Sequence, residues 1–427
     1  VNRVYSTEEE IPVGEKIAGL DVLGPEYFTD PHAYHARMRE QAAATEVVLP
    51  RGTRAWLVTR YEDARHALAD QRFSKDYRAF PDVMRRNKVG DDDVPEEFDQ
   101  SLMKHMLNLD PPDHTRLRKL VTKAFTARRV EQLRSRVQEI TDGLLDEMAA
   151  KAASTGAGID LVDALSFPLP ITVICEMLDV PLDQRDDFRA WSNTLVLGGP
   201  DADAVQEAAG RMADYLTRLV EHKRSDPGDD FFSELVHADE EGDRLDHMEL
   251  ISMAFLLLVA GHETTVNLIT SGVQLLLRHP DQAERLRADR SLLPGAVEEF
   301  LRYESPVNHA TIRVTVEDVE VGDVVIPKGS VVVVSLNGAN RDADRFPDAD
   351  RFDITRPAGG HLAFGHGVHY CLGAPLARME GEIAIGSLLD RFDFALAADP
   401  ESLRWRQGTL MRGLESLPVS LTPRGPR

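Results

Sequence analysis

The spacing of apolar residues divides the chain before any single residue is considered. From His114 to Ala149 they recur at helical intervals, as in Leu117, Leu120, Val121 and Phe125. The same period predicts helices over Leu161–Val180, Asp201–Lys223, His247–Leu277 and Pro294–Tyr303. Upstream, the short apolar run Arg54–Arg60 predicts a strand and Glu62–Asp70 a helix. The first 50 residues, punctuated by Pro12, Pro25, Pro31 and Pro50, are expected to be loop-rich. Residues 81–100 are charged and turn-rich, with Asp91, Asp92, Asp93, Glu96, Glu97 and Asp99, and are expected to form a mobile surface segment. The character changes at Ala310. From there to Leu336 come the β-branched runs TIRVTV and VVVVSL, with turns at Gly322-Asp323 and Pro327-Lys328-Gly329. A Gly-rich loop, 359–373, precedes a last helix, Ala374–Arg391. The pattern predicts a mainly α fold with a smaller β region.

Composition narrows what such a fold can do. The 49 Lys and Arg against 72 Asp and Glu give a formal charge of −23, which argues against nucleic acid as the main partner. A hydrophobic fraction of 42% is too high for a disordered chain. Two cysteines cannot build a disulfide framework or a four-thiolate metal cluster. A length of 427 residues suggests two cores, yet no Gly/Ser linker or internal repeat divides the chain. A single domain over 1–427, with an extension of residues 1–20, is therefore expected. The most apolar stretch, Leu250–Gly261, is 12 residues long, whereas a spanning helix needs about 20, so it reads as a buried core helix. Val1–Glu10 is polar, with no apolar export segment. The expectation is a soluble, cytoplasmic protein with no membrane anchor.

The two cysteines differ in setting. Cys175 lies in a mostly apolar helical stretch and reads as a small buried hydrophobe. Cys371 lies just before a helix that opens Leu372-Gly373-Ala374-Pro375, where Pro375 suits the first turn. Unpaired backbone N–H groups and the helix dipole at such a position favour thiolate over thiol. Gly365, Gly367 and Gly373 would let backbone approach something flat and bulky. On these residues alone the thiolate could be a nucleophile, a redox thiol or an axial metal ligand.

The run Phe364-Gly365-His366-Gly367-Val368-His369-Tyr370-Cys371-Leu372-Gly373 resembles the haem-binding loop of cytochromes P-450 (F-G-x-G-x-H-x-C-x-G) at every position. Three further motifs are similar to that family and occur in its order. Glu299-Phe300-Leu301-Arg302, followed by Arg351-Phe352-Asp353, resembles the E-x-x-R network beneath the haem, which implies a folding role. Ala260-Gly261-His262-Glu263-Thr264-Thr265 resembles the oxygen-binding stretch of the long central helix. His114-Thr115-Arg116-Leu117-Arg118, after Asp110-Pro111-Pro112-Asp113, resembles the helix that holds haem propionates. The resemblance covers essentially the whole chain, and its texture is closest to soluble actinomycete enzymes that tailor macrolides and other polyketides.

What the resemblance implies is a haem-thiolate monooxygenase with haem b and O2 as cofactors. Cys371 would be the iron ligand, with Phe364 packed beside the ring. His114, Arg118, Arg313 and His369 would bind the propionates. Ala260 and Gly261 would leave room beside the cofactor, Thr264 would place its hydroxyl toward dioxygen, and Glu263 would relay protons. Electrons would come from NAD(P)H through a ferredoxin reductase and a ferredoxin, since one fold consumes the chain. His114–Arg136 holds eight Lys or Arg and one acid, Glu131, and is the expected docking patch. His262-Glu263 also begins the zinc motif H-E-x-x-H, but residue 266 is Val, which excludes it. The substrate is expected to be large and hydrophobic, a macrolide or polyketide to be hydroxylated or epoxidised. A steroid, terpenoid or xenobiotic is the alternative. The acidic residues 91–99 would meet an amino sugar. A non-catalytic haem sensor or carrier would need neither Glu263 nor Thr264. The enzyme is expected to be a monomer.

Overall fold

Two of the prolines that punctuate the N-terminal sequence begin helices. Pro25 opens Pro25–Thr29 and Pro31 opens Pro31–Gln41, positions where a missing N–H costs nothing. With strands Leu20–Val22 and Ala44–Leu49, they make this region more ordered than the loop-rich expectation. The computed structural model describes residues 16–17, 19–50, 52–89, 102–155, 158–180, 185–197, 202–238, 242–357 and 359–425. The acidic residues 91–99 lie outside them. Of the segment expected to be mobile, Phe80–Arg86 is helical.

The β region draws on both ends of the sequence. A seven-stranded sheet runs in the order Lys16–Ile17, Leu20–Val22, Ala44–Leu49, Thr53–Val58, Val331–Val334, Arg313–Thr315, Phe73–Ser74. Val332, Val333 and Val334 pair in parallel with Trp56, Leu57 and Val58, which ties the expected strand after residue 53 to the VVVVSL run. Hence Arg313, far along the chain, lies beside Phe73 and Ser74.

The central helix, His247–Arg278, starts at a capping box between Asp246 and Glu249. By length and composition it could cross a bilayer, but 67% of its most apolar window is buried within the protein. It packs against Pro168–Leu178, Ala202–Ser225, Leu293–Tyr303 and Ala374–Arg391. The expected 114–149 helix is instead three, Asp113–Ala124, Ala127–Gln132 and Arg134–Thr155. The second begins where the Thr126 hydroxyl accepts from the Arg129 N–H. Arg185–Leu197 and Pro280–Ala288 are further helices that the spacing did not show.

Glu299 and Arg302 are fully buried in the helix Leu293–Tyr303 and form a two-pronged pair at 2.7 and 2.9 Å. Arg302 also donates to the carbonyls of Asn340 and Ala349, and Glu299 accepts from the Asp353 N–H. The side chain that joins them is Arg356, 3.5 Å from Glu299, and not Arg351, which is exposed and pairs with Asp353.

Candidate functional site

The cysteine loop is shaped by two left-handed glycines, Gly365 (φ 73°) and Gly367 (φ 74°). A Cβ at Gly367 would lie 3.0 Å from the Ala69 Cα, so crowding adds to the backbone strain that a side chain there would meet. The Cys371 N–H donates to the Phe364 carbonyl at 2.9 Å and closes the loop. Gly373 then caps Ala374–Arg391, with Pro375 in its first turn, as expected. Its φ is −79°, so its role is the cap and not a left-handed turn.

Cys371 lines a cavity bounded by the central helix, the cysteine loop and the segment from Pro306 to Arg313. Burial raises its thiol above the ordinary value, while the N–H groups of Gly373 and Ala374 and the charges of Arg118 and Arg378 oppose this. Cys371 is exposed to the cavity, and the N–H groups at the helix start favour its thiolate as expected, against the burial that raises it. Phe364 lines the same cavity and is covered on one face by the Arg378 guanidinium, 4.5 Å from the ring centre.

The four expected anion binders do come together. The His114 and His369 rings lie 4.3 Å apart. Arg118 donates to the Tyr370 carbonyl at 2.7 Å, and Arg313 to the carbonyls of Phe73 and Leu68, each at 3.2 Å. A fifth basic group, Lys75, joins them, only 2% exposed and lining the cavity. The sequence reading missed it because it follows a strand of two residues, Phe73–Ser74, with no periodic signal.

Charge at this rim is unbalanced. Burial, then Arg118 and Lys75, pushes His114 down to about 4. Burial and four basic neighbours hold His369 well below the usual imidazole range. Burial pushes Arg313 down to about 10 and Lys75 far below its ordinary value. The carboxylate opposing them, Asp110, already accepts from the Ser74 hydroxyl and the Lys75 N–H. Both ring nitrogens of His114 and the Nε of Arg313 are buried without partners. Buried polar groups are rarely left so. Two carboxylates on a flat ligand above Cys371 would satisfy them, and the residues therefore fit haem.

The other side of the cavity is apolar. Met106, Leu107, Leu256, Leu257, Val307 and Leu410 face it, and among the described residues the acidic and basic side chains that line the cavity, histidines aside, are Glu380 and the Lys75, Arg118 and Arg313 of the basic rim. Ala260 and Gly261 line it without bulk, and a Cβ at Gly261 would meet Ile174 at 3.1 Å. Thr264 lines it too, with its hydroxyl donating to the Ala260 carbonyl at 2.8 Å. Glu263 does not face the cavity. Its carboxylate accepts from Arg406 at 3.0 Å and lies 3.3 Å from His262 Nε2. Burial raises the Glu263 carboxyl, but His262 and Arg406 outweigh it and leave it below the ordinary value. So the structure does not bring the expected acid and alcohol into contact. Arg406 was also missed, since it lies in a C-terminal stretch with no recognisable period. Glu380, buried beside Thr265 and lining the cavity, is pushed by burial up to about 8.

The basic run of 114–136 is partly spent on internal contacts. Arg116 pairs with Asp243 and Glu249, Arg129 with Glu234, Arg134 with Glu131, and Arg136 with Glu139 and Glu176. Arg118 turns to the cavity. Lys119, Lys123 and Arg128 are exposed.

Residues 29–415 match the family model described as Cytochrome P450. The chain is 55% identical over 394 residues to Cytochrome P450 107B1 of Saccharopolyspora erythraea, spanning 92% of this chain and 95% of that one. It is 49% identical over 415 residues to the cytochrome P450 monooxygenase PikC of Streptomyces venezuelae, spanning 97% and 96%. Among solved structures, that of the tirandamycin C-bound P450 monooxygenase TamI is similar at a TM-score of 0.85 and 49% identity, over 94% of this chain and all of that one.

Proposed function

The chain belongs to the cytochrome P450 family, and from that premise we propose that this monooxygenase hydroxylates or epoxidises a large neutral polyketide or macrolide. The family brings haem iron and O2. The reading takes 1–427 as one domain, monomeric and cytoplasmic. The observation that carries the substrate class is the asymmetry of the cavity, basic at one rim and apolar on the opposite side. A relative named polyketide biosynthesis cytochrome P450 PksS of Bacillus subtilis, 40% identical over 404 residues, supports it.

Haem, when bound, supplies oxygen activation and insertion. The residues do the rest. Cys371 supplies the sulfur ligand. His114, Arg118, Arg313, His369 and Lys75 hold the two carboxylates and fix the ring in its slot. Phe364, with Arg378 over its face, shields the sulfur from water. Ala260 and Gly261 keep the opposite wall low enough for a ligand. Thr264 can release its hydroxyl from the Ala260 carbonyl and donate into the cavity. Glu263 moves protons from solvent to Thr264 once freed from Arg406. Electrons arrive from NAD(P)H through a reductase and an acidic ferredoxin, guided by the exposed Lys119, Lys123 and Arg128 of the run whose Arg118 reaches the Tyr370 carbonyl.

The reduced protein with carbon monoxide should give the red-shifted Soret band of thiolate ligation, and Cys371→Ser should lose it. A neutral macrolactone should then move the ferric spin state, and turnover with ferredoxin, reductase and NAD(P)H should oxygenate it. Tight binding of the amino-sugar glycoside alone would overturn the neutral-substrate reading. Thiolate ligation without turnover would indicate a sensor.

A further inference from the structure

Glu263 is held by a part of the molecule that also forms the cavity wall. Arg406 lies on a hairpin in which Trp405 bridges to Leu414 and the Arg406 N–H donates to the Gly413 carbonyl at 2.9 Å. Leu410 and Met411, at the tip of this hairpin, line the cavity. The tip is tied to the segment after the E-x-x-R helix: the Asn308 N–H donates to the Leu410 carbonyl at 2.8 Å, and Val307 bridges to Met411. Its base rides on the central helix. A Cβ at Gly413 would collide with Asn267, and Asn267 is four residues beyond Glu263, on the same helix face. One rigid connection therefore joins the cavity wall to the guanidinium that holds Glu263.

Glu263 cannot serve Thr264 while held. Consecutive helical residues point about 100° apart. Both carboxylate oxygens are engaged on the far side, one by Arg406 and one beside His262. Arg406 Nη1 also reaches Asn193 at 3.5 Å, and Ser192 lies 3.2 Å from His262, so the helix Arg185–Leu197 closes the group.

We propose that this hairpin is a substrate-sensing clamp, in which a bulky ligand pressing on Leu410 and Met411 withdraws Arg406 and frees the Glu263 carboxylate to turn toward Thr264. Arg406 is a positioning residue. It deepens the assignment of Glu263 as proton relay and rests on it. Coupling between sites is reciprocal. If a bulky ligand must break the Arg406–Glu263 pair, removing that pair beforehand must tighten the ligand.

Ligand titration of the holoenzyme, followed by its visible spectrum, tests this without turnover. Ketoconazole serves as the bulky probe, and imidazole as a small probe that binds iron without reaching the hairpin. Arg406→Gln and Glu263→Gln should each tighten ketoconazole about ten-fold, within the ordinary range of coupling between sites, and leave imidazole unchanged. The double variant should tighten no further, and Arg406→Lys should restore wild-type affinity. Unchanged or weakened ketoconazole binding in the single variants overturns the clamp, as do additive effects or equal shifts with imidazole. Fully coupled turnover by Glu263→Gln would instead overturn the relay and leave the titrations standing.

Discussion

Two buried groups of charges lie within the same fold, and they are built on opposite principles. Around Glu299 and Arg302, donors meet acceptors: the guanidinium finds a carboxylate and two backbone carbonyls, and the carboxylate finds a backbone N–H and Arg356. Around His114, Lys75 and Arg313, basic groups crowd one another, and buried nitrogens go without acceptors. The first group finds its counter-charges within the chain, although the Arg356 Nε, 3.5 Å from Glu299, makes no hydrogen bond, and it belongs to the scaffold. The second is complete only with an anion that the chain does not supply. Burial alone would rank them as equals; the balance of partners separates structure from binding.

The strongest way to break this contrast is to remove one member from each group. Arg302→Met removes the two-pronged partner of Glu299 and leaves it buried with Arg356 alone, at 3.5 Å, as counter-charge; loss of one partner of a buried pair costs roughly 3–5 kcal/mol. Urea unfolding of the haem-free protein should show that loss directly. Arg313→Met should differ. It relieves repulsion with Lys75, against the loss of its hydrogen bonds to the Phe73 and Leu68 carbonyls, so the haem-free protein should lose far less stability than Arg302→Met does. Haem transfer to apomyoglobin should accelerate by roughly thirty-fold, for a lost buried charge pair worth about 2 kcal/mol. If Arg313→Met destabilises the haem-free protein as Arg302→Met does, the two groups are not distinct.

Acid sharpens the same contrast with a smaller effect. His114 has an ordinary value of 6.5 and is held at about 4 in the folded chain, by burial first and then by Arg118 and Lys75. The unfolded chain thus binds more protons between those limits, and stability falls as pH falls through them. Above pH 6.5 the contribution is fully present; below about 4 it is gone. The haem-free protein should therefore weaken from pH 6.5 to 4, and His114→Gln should flatten part of that slope. Propionates beside His114 favour its charged form, so the holoenzyme should show a shallower slope. Unfolding midpoints across this range, with and without haem, check it.

Periodicity could show the long helices and motif spacing the cysteine loop, because each is local in sequence. The strand that carries Arg313 could be read, but its neighbour Phe73–Ser74 is two residues long and carries no period of its own. Lys75 was lost with it. The E-x-x-R pair was legible from a three-residue spacing, whereas its third arm, Arg356, was not, since it arrives through an irregular loop. Glu263 and Thr264 are adjacent in sequence, and adjacency suggested cooperation. On a helix, adjacency means different faces, and the partner that decides where Glu263 points is Arg406, 143 residues away. The basic run was overread for the same reason: composition counts charges but not the acids that folding brings beside them.

That run provides the smallest and last contrast, between an arginine paired with an acid and the exposed Arg128. Arg134 and Arg136 are half-exposed and paired with Glu131, Glu139 and Glu176. Such pairs are worth little to stability, from about 0 to 1 kcal/mol, and present almost no net field to a partner. Replacing Arg134 together with Glu131 by Gln removes no net charge and should leave the rate of reduction by ferredoxin within about two-fold of wild type. Arg128→Gln, which does remove a net charge, should slow reduction more, and the difference should fade as salt shortens the Debye length from about 10 Å at 0.1 M toward 3 Å at 1 M. Stopped-flow reduction over that salt range distinguishes the two variants. Equal slowing by both would mean that ferredoxin reads the whole run by its sequence charge, and that the ion pairs made on folding do not mask it.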